Sequence, residues 1–117
     1  MTRARPPHEG LRQELRRGTL VLAVLISLRQ ERYGADLIER LAKASVPIEP
    51  GALYPMLRRL EDQGLLASEW RVEDGRRRRF YRSSAAGLDV AEELANDLIQ
   101  LVASLQALRR EEDDADR

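Results

Sequence analysis

The segment Glu49 to Leu66, EPGALYPMLRRLEDQGLL, constrains the fold more than any other part of the chain. Leu53, Leu57 and Leu60 stand at i, i+4 and i+7, one apolar stripe of a helix that must face a core. Pro50 and Gly51 suit a helix start and Gly64 suits its stop. Pro55 comes late enough to remove a bond from the ladder, so it belongs near the end of the first turn or at a slight kink. Mostly off the stripe lie Ala52, Tyr54, Pro55, Arg58 and Arg59: a small residue, a hydroxyl-bearing ring and fixed cations, a surface suited to phosphates and base edges. An ordinary amphipathic helix with a charged outer face has the same pattern, so the residues beyond Gly64 must decide between the two.

After Gly64 the period changes from helical to alternating. Leu66 to Val72 (LASEWRV) and Arg78 to Ser83 (RRFYRS) have the alternation of two strands, and Glu73, Asp74, Gly75 and Arg76 form the turn between them. The hairpin tip then carries Arg76, Arg77, Arg78 and Arg79 in succession. A solvated charge run is the plain explanation, but like charge concentrated at a turn is unfavourable unless an anion offsets it. Trp70, Phe80 and Tyr81 are expected in sheet and core packing, since strands favour aromatics for ordinary reasons.

Upstream, residues 1–10 hold prolines, a glycine and scattered charges without periodicity, the composition of a mobile arm; His8 there has no companion ligand or acid partner. Leu11 to Leu28 (LRQELRRGTLVLAVLISL) predicts a first helix, polar at its start and apolar in its second half, with Gly18 and Thr19 as a weak point where another helix could approach. Arg29 to Arg32 is a charged connection, and Tyr33 and Gly34 open a second helix over Ala35 to Ala44 with Leu37, Ile38 and Leu41 facing inward. Pro47 and Pro50 prevent its continuation. Ser84 is a good N-cap for a last helix from Ala85 to Arg110, roughly 39 Å long at 1.5 Å per residue. Its stripe of Leu94, Leu98, Leu101, Val102, Leu105 and Leu108 extends past what a small domain can cover, and the simplest cover is a second copy in a symmetric dimer. EEDDADR, residues 111–117, has the composition of an acidic disordered tail.

A chain of 117 residues is about one domain with an appended helix. It has no cysteine, which excludes disulfides, thiolate metal sites and cysteine nucleophiles and fits a reducing cytoplasm. With one histidine, in the arm, no metal-ligand cluster and no phosphate-cradling glycine loop, no enzyme site and no cofactor are expected. The pair Glu92 and Glu93 suits a solvated face. The apolar run from Leu20 to Leu28 is too short to span a bilayer, which needs roughly 20 residues, and the N-terminus lacks a signal-peptide pattern. The net charge of zero conceals a polarity: residues 1–82 carry 17 basic against 11 acidic residues, +6, and residues 83–117 carry 3 against 9, −6. Such a chain can present a basic face to a polyanion while its far end stays acidic.

Three helices, a basic-tipped hairpin and a long helix make a mainly α fold: a winged helix-turn-helix with a two-stranded wing and a C-terminal dimerisation helix. The expected organisation is an arm at 1–10, a winged-helix domain at 11–83, a dimerisation helix at 84–110 and the tail. The run GALYPMLRRLEDQGLLASEW, followed by DGRRRRFYR and Ala86-Gly87, closely resembles the PadR-like family of bacterial transcriptional regulators, and ELRRGTLVLAVLISL resembles that family's opening segment. The resemblance covers roughly residues 12 to 108, with several motifs in order at matching distances. It implies a homodimer that binds an operator in double-stranded DNA, usually as a repressor, and releases it on a small-molecule or stress signal. It places Ala52, Tyr54, Pro55, Arg58 and Arg59 on the helix in the major groove and Arg76 to Arg79 on the wing. Three departures stand out. Ala52 replaces the more common threonine, which touches operator preference; Ala35 follows Gly34 where an aromatic is common, near the dimer cleft; and Ser83-Ser84-Ala85 is unlike the usual leucine and threonine. Some relatives grip flat drugs between aromatic side chains of the last helix, whereas this last helix has none. The competing reading is a winged helix used for protein association, its hairpin arginines meeting an acidic partner, without operator discrimination.

Overall fold

The computed structural model describes residues 7–115, which run in the order α1 (Glu9–Ser27), β1 (Arg32–Tyr33), α2 (Gly34–Lys43), α3 (Pro50–Asp62), β2 (Leu66–Glu73), β3 (Arg76–Ser83) and α4 (Ala85–Ala115). Of the expected arm, residues 1–6 lie outside the described residues, and α1 starts before Leu11. His8 adopts a left-handed φ of 63° and its carbonyl accepts the Arg12 N–H at 3.0 Å, so it stands at the helix start instead of in a structureless arm. Among the described residues of this chain nothing lies within 4 Å of a Cβ placed at Gly18.

Helix α3 behaves as its leucine spacing requires. Leu53, Leu57 and Leu60 are buried, and around them close Val24 and Leu25 of α1 and Leu28 just past its end, with Leu37 and Leu41 of α2. Pro50 occupies the first turn after an extended Glu49, whose carbonyl accepts the N–H groups of Ala52 and Leu53 at 3.0 and 2.9 Å. Pro55 sits inside the helix, past the first turn. Gly64, at φ 77°, ends it: its N–H donates to Glu61 and the Leu65 N–H reaches back to Leu60, both at 2.9 Å, the paired bonds of a Schellman stop.

The sheet has three antiparallel strands in the order β1-β3-β2, one more than the expected two-stranded wing. Arg32 and Tyr33, placed by sequence in a connection and at a helix start, pair with Tyr81 and Phe80. A two-residue strand is too short to show alternation. Only Asp74 and Gly75, both at positive φ, form the turn, which suits the twist of a tight hairpin. Arg76 to Arg79 therefore belong to the strand, with Arg76 opposite Glu73 and Arg79 opposite Trp70.

Two serines join the wing to the helices. The Ser83 hydroxyl donates to the Leu25 carbonyl at 2.8 Å, and its N–H donates to the Leu28 carbonyl at 2.7 Å. Ser84 caps α4, accepting the Gly87 N–H at 3.0 Å while its own N–H donates to the Leu65 carbonyl. Beyond Leu94 and Ala95, which pack on the core, α4 leaves it. The helix continues through Glu111 to Ala115, where the sequence suggests a separate tail; Asp116 and Arg117 lie outside the described residues. The radius of gyration of 18.0 Å exceeds the about 13 Å of a compact domain of this length, as a projecting helix requires. Among the described residues no helix is long and apolar enough to cross a membrane.

At Gly87, a Cβ would overlap the Leu65 carbonyl oxygen, a backbone atom held by the Ser84 N–H. Gly87→Ala should therefore cost about 1–3 kcal/mol of stability, read as a lowered Tm in thermal denaturation.

Candidate nucleic-acid interface

Burial of one α3 face dictates what the other presents. Ala52, Tyr54, Pro55, Arg58 and Arg59 are all exposed, and Tyr54 and Arg58 are one turn apart on the same side of the helix. The Tyr54 ring lies against Gly34, so close that any Cβ there would overlap its hydroxyl and ring edge. The packing holds Tyr54 in place without covering it, and the side chain keeps 38% exposure.

The four wing arginines are not equivalent. Strand alternation puts Arg77 and Arg79 on one face and Arg76 and Arg78 on the other. Arg76 and Arg77 are exposed, whereas Arg78 and Arg79 are half-buried. The guanidinium of Arg77 stacks over Trp70 at 4.7 Å and that of Arg78 over Tyr33 at 4.4 Å. A cation over an aromatic face is attracted by the ring quadrupole while its N–H edge remains open for an acceptor. Arg79 is engaged differently, by Glu61 of α3 at 2.9 Å. The charges of Arg77, Arg78 and Arg79 are thus offset within the protein by rings and a carboxylate.

Between wing and helix lies an open cleft of about 460 Å³, lined by Tyr33, Gly34, Ala35, Tyr54, Trp70, Arg76, Arg77, Arg78, Arg79 and Tyr81. The Tyr54 ring of α3 and the four arginines of β3 thus share one concave surface. Burial pushes the Tyr81 phenol above its ordinary pKa, Arg79 pulls it down and Glu61 raises it, so the group stays uncharged at neutral pH. One aromatic stands where its strand pattern does not put it. Trp70 is 52% exposed instead of packed, while Phe80 and Tyr81 are buried as expected. Ala35 also lines this cleft. Tyr33, Ser68 and Glu61 carry no sequence signal of their own: register sets Ser68 opposite Tyr81 and Tyr33 opposite Phe80, and Glu61 of α3 meets Ser68 and Arg79 only through the fold.

Because the Tyr54 ring is the movable partner at Gly34, Gly34→Ala should leave the stability within about 1 kcal/mol of the unaltered protein yet displace that ring. The expected outcome is several-fold weaker binding to duplex DNA, measured by fluorescence anisotropy alongside a thermal melt.

Residues 21–93 match the transcriptional regulator PadR-like family. A crystal structure of a PadR family transcriptional regulator from Eggerthella lenta DSM 2243 superimposes with a TM-score of 0.81 at 44% identity, over 85% of this chain and 88% of that one. A Streptococcus transcriptional regulator gives 0.66 at 30% identity, over 80% and 97%. Transcriptional regulator Rv3488 of Mycobacterium tuberculosis is 53% identical over 57 residues, 49% of this chain and 53% of that protein, so the match spans about half the length of that relative. Family members are DNA-binding regulators and not enzymes. The family match covers more than half of the sequence, and the chain belongs to the PadR-like family of transcriptional regulators.

Proposed function

We propose that this protein acts as a homodimeric, sequence-specific repressor that binds an inverted-repeat operator and releases it when a small-molecule or stress signal reaches the dimer. The observation that carries this reading is the opposition of two surfaces on one chain. At one end Arg58, Arg59, Arg76 and Arg77 are exposed around Tyr54. At the other, α4 exposes Leu98, Leu101, Val102, Leu105 and Leu108, at 37–60%, in line with the half-buried Leu94. Leu11 and Leu15 of α1, 65% and 76% exposed and one turn apart, extend the apolar supply. Apolar surface of that length on a helix favours association, and a second copy is a partner always present at matched concentration.

In this reading the chain divides into a winged-helix part that touches DNA and a C-terminal helix that sets the distance between two such parts. Ala52, Tyr54, Pro55, Arg58 and Arg59 enter the major groove, where Arg58 and Tyr54 reach base edges, and Arg76, Arg77 and Arg78 follow the phosphates. Two reading helices about one DNA turn apart, roughly 34–36 Å, require half-sites at that spacing. Release needs no chemistry: an effector that binds a dimer with wrongly spaced helices more tightly shifts the population away from DNA.

Two expectations test this. In anisotropy titrations across a salt series, Arg58→Ala should cost about 1–3 kcal/mol on the operator and relax base preference. Arg77→Ala should weaken binding to every duplex and reduce the salt slope by about 0.9 per lost phosphate contact. Equal affinity for operator and random duplex at all salts would favour the protein-association reading instead. In sedimentation, the unaltered protein should be dimeric at micromolar concentration, and Leu101→Glu with Leu105→Glu should give a folded monomer with at least tenfold weaker operator binding. A monomeric unaltered protein would remove the dimer from the proposal.

A further inference from the structure

A carboxylate beside a DNA-binding surface repels phosphate, so one that is held there in a defined geometry calls for a reason. Glu61, in the last turn of α3, follows Arg58 by three residues and so shares its side of the helix. Both of its oxygens are used. Oε1 accepts the Arg79 Nη2–H at 2.9 Å, and Oε2 accepts the Ser68 hydroxyl at 2.5 Å. Ser68 Oγ in turn accepts the Arg79 Nε–H at 2.9 Å, which closes a ring of three hydrogen bonds across α3, β2 and β3. The ring is partly shielded, with the Glu61 and Arg79 side chains 26% and 35% exposed. Arg79 also lies within 5.5 Å of the Tyr81 ring and 5.7 Å of the Trp70 ring.

We infer that Arg79 serves DNA recognition as a positioning residue and not as a phosphate ligand: through Glu61 and Ser68 it fixes the angle between the reading helix and the wing. Charge-assisted bonds of this kind are directional, and a planar guanidinium that bonds two groups at once defines an orientation that a single bond would not. Moving Glu61 swings Arg58, one turn away, relative to Arg77 on the wing. Phosphate binding then falls to Arg76, Arg77 and Arg78, and the negative charge of Glu61 is tolerated because it is neutralised by Arg79. The inference rests on the DNA-binding reading given above.

The expected effect of removing that carboxylate has an unusual sign. Loss of an acidic charge near DNA ordinarily strengthens binding to all sequences. Here Glu61→Gln should weaken operator binding, roughly tenfold, and lower the ratio of operator to random-duplex affinity. Arg79→Gln should lose a similar amount with an unchanged salt slope, and the double variant should lose no more than either single one. Arg79→Lys, which keeps the charge but not the planar fork, should behave as Arg79→Gln. Arg77→Gln provides the contrast, a shallower slope with the ratio preserved. The experiment uses the full chain, a duplex selected from a random pool and a random duplex, with anisotropy at several salt concentrations and circular-dichroism melts to establish that each variant is folded. The inference is overturned if Glu61→Gln binds both duplexes more tightly, or if Arg79→Gln flattens the slope as Arg77→Gln does, since Arg79 would then be an ordinary phosphate contact. Failure of the unaltered protein to bind any duplex would overturn the regulator reading itself and this inference with it.

Discussion

The burial of Leu53, Leu57 and Leu60 on one side of α3 is the constraint that sets the remaining geometry. Each fully buried leucine contributes about 1.5–3 kcal/mol, so rotating the helix to hide its other face would forfeit several kcal/mol in a domain whose net stability is of similar size. With that side fixed, Tyr54, Arg58 and Arg59 have nowhere to go but outward. The same core receives Leu25 of α1 and Leu28 just past its end, whose carbonyls accept the hydrogen bonds of Ser83, so the wing is anchored to the element that packs on α3. One packing arrangement therefore determines both the surface proposed to meet a polyanion and the direction in which α4 departs.

The basic face is organised by short-range chemistry. Stacking over Trp70 and Tyr33 lowers the conformational freedom that Arg77 and Arg78 would otherwise lose in the proposed phosphate contacts, while their N–H edges stay available. Arg71 of β2 is held by Glu31 and by Glu69 and lies over Phe80 of β3 at 3.9 Å. Charge polarity along the chain acts at longer range. The acidic end of α4, Glu111 to Asp114, is carried on the element that leaves the core, so it does not cancel the field at the wing.

Much of this was legible in the residues because local signals and global packing agree. The 3.6-residue spacing of Leu53, Leu57 and Leu60, the stop at Gly64, the Asp74-Gly75 turn and the Ser84 cap each have one dominant physical reading, and each holds in the fold. What escaped is set by contacts distant in sequence. Trp70 has the alternation of a packed strand residue, yet a short edge strand has no layer to cover that face near its tip, and the ring serves Arg77 instead. β1 owes its existence to pairing with Phe80 and Tyr81 and has no pattern of its own. The run Arg76 to Arg79 looks like four equal charges until register assigns alternate faces and places Arg79 beside Ser68 and Glu61. At the C-terminus, an acidic composition masks a helix that simply continues from the well-formed turns before it.

The absence of cysteine makes the central claim, that two copies hold their reading helices one DNA turn apart, directly measurable. A single Asp62→Cys substitution at the exposed end of α3 allows one spin label per copy, and pulsed dipolar spectroscopy on the DNA-bound protein reads the distance between them. The expected result is one population centred within a label's reach of roughly 34–36 Å. No dipolar modulation, or a population centred far outside that spacing, would contradict the claim.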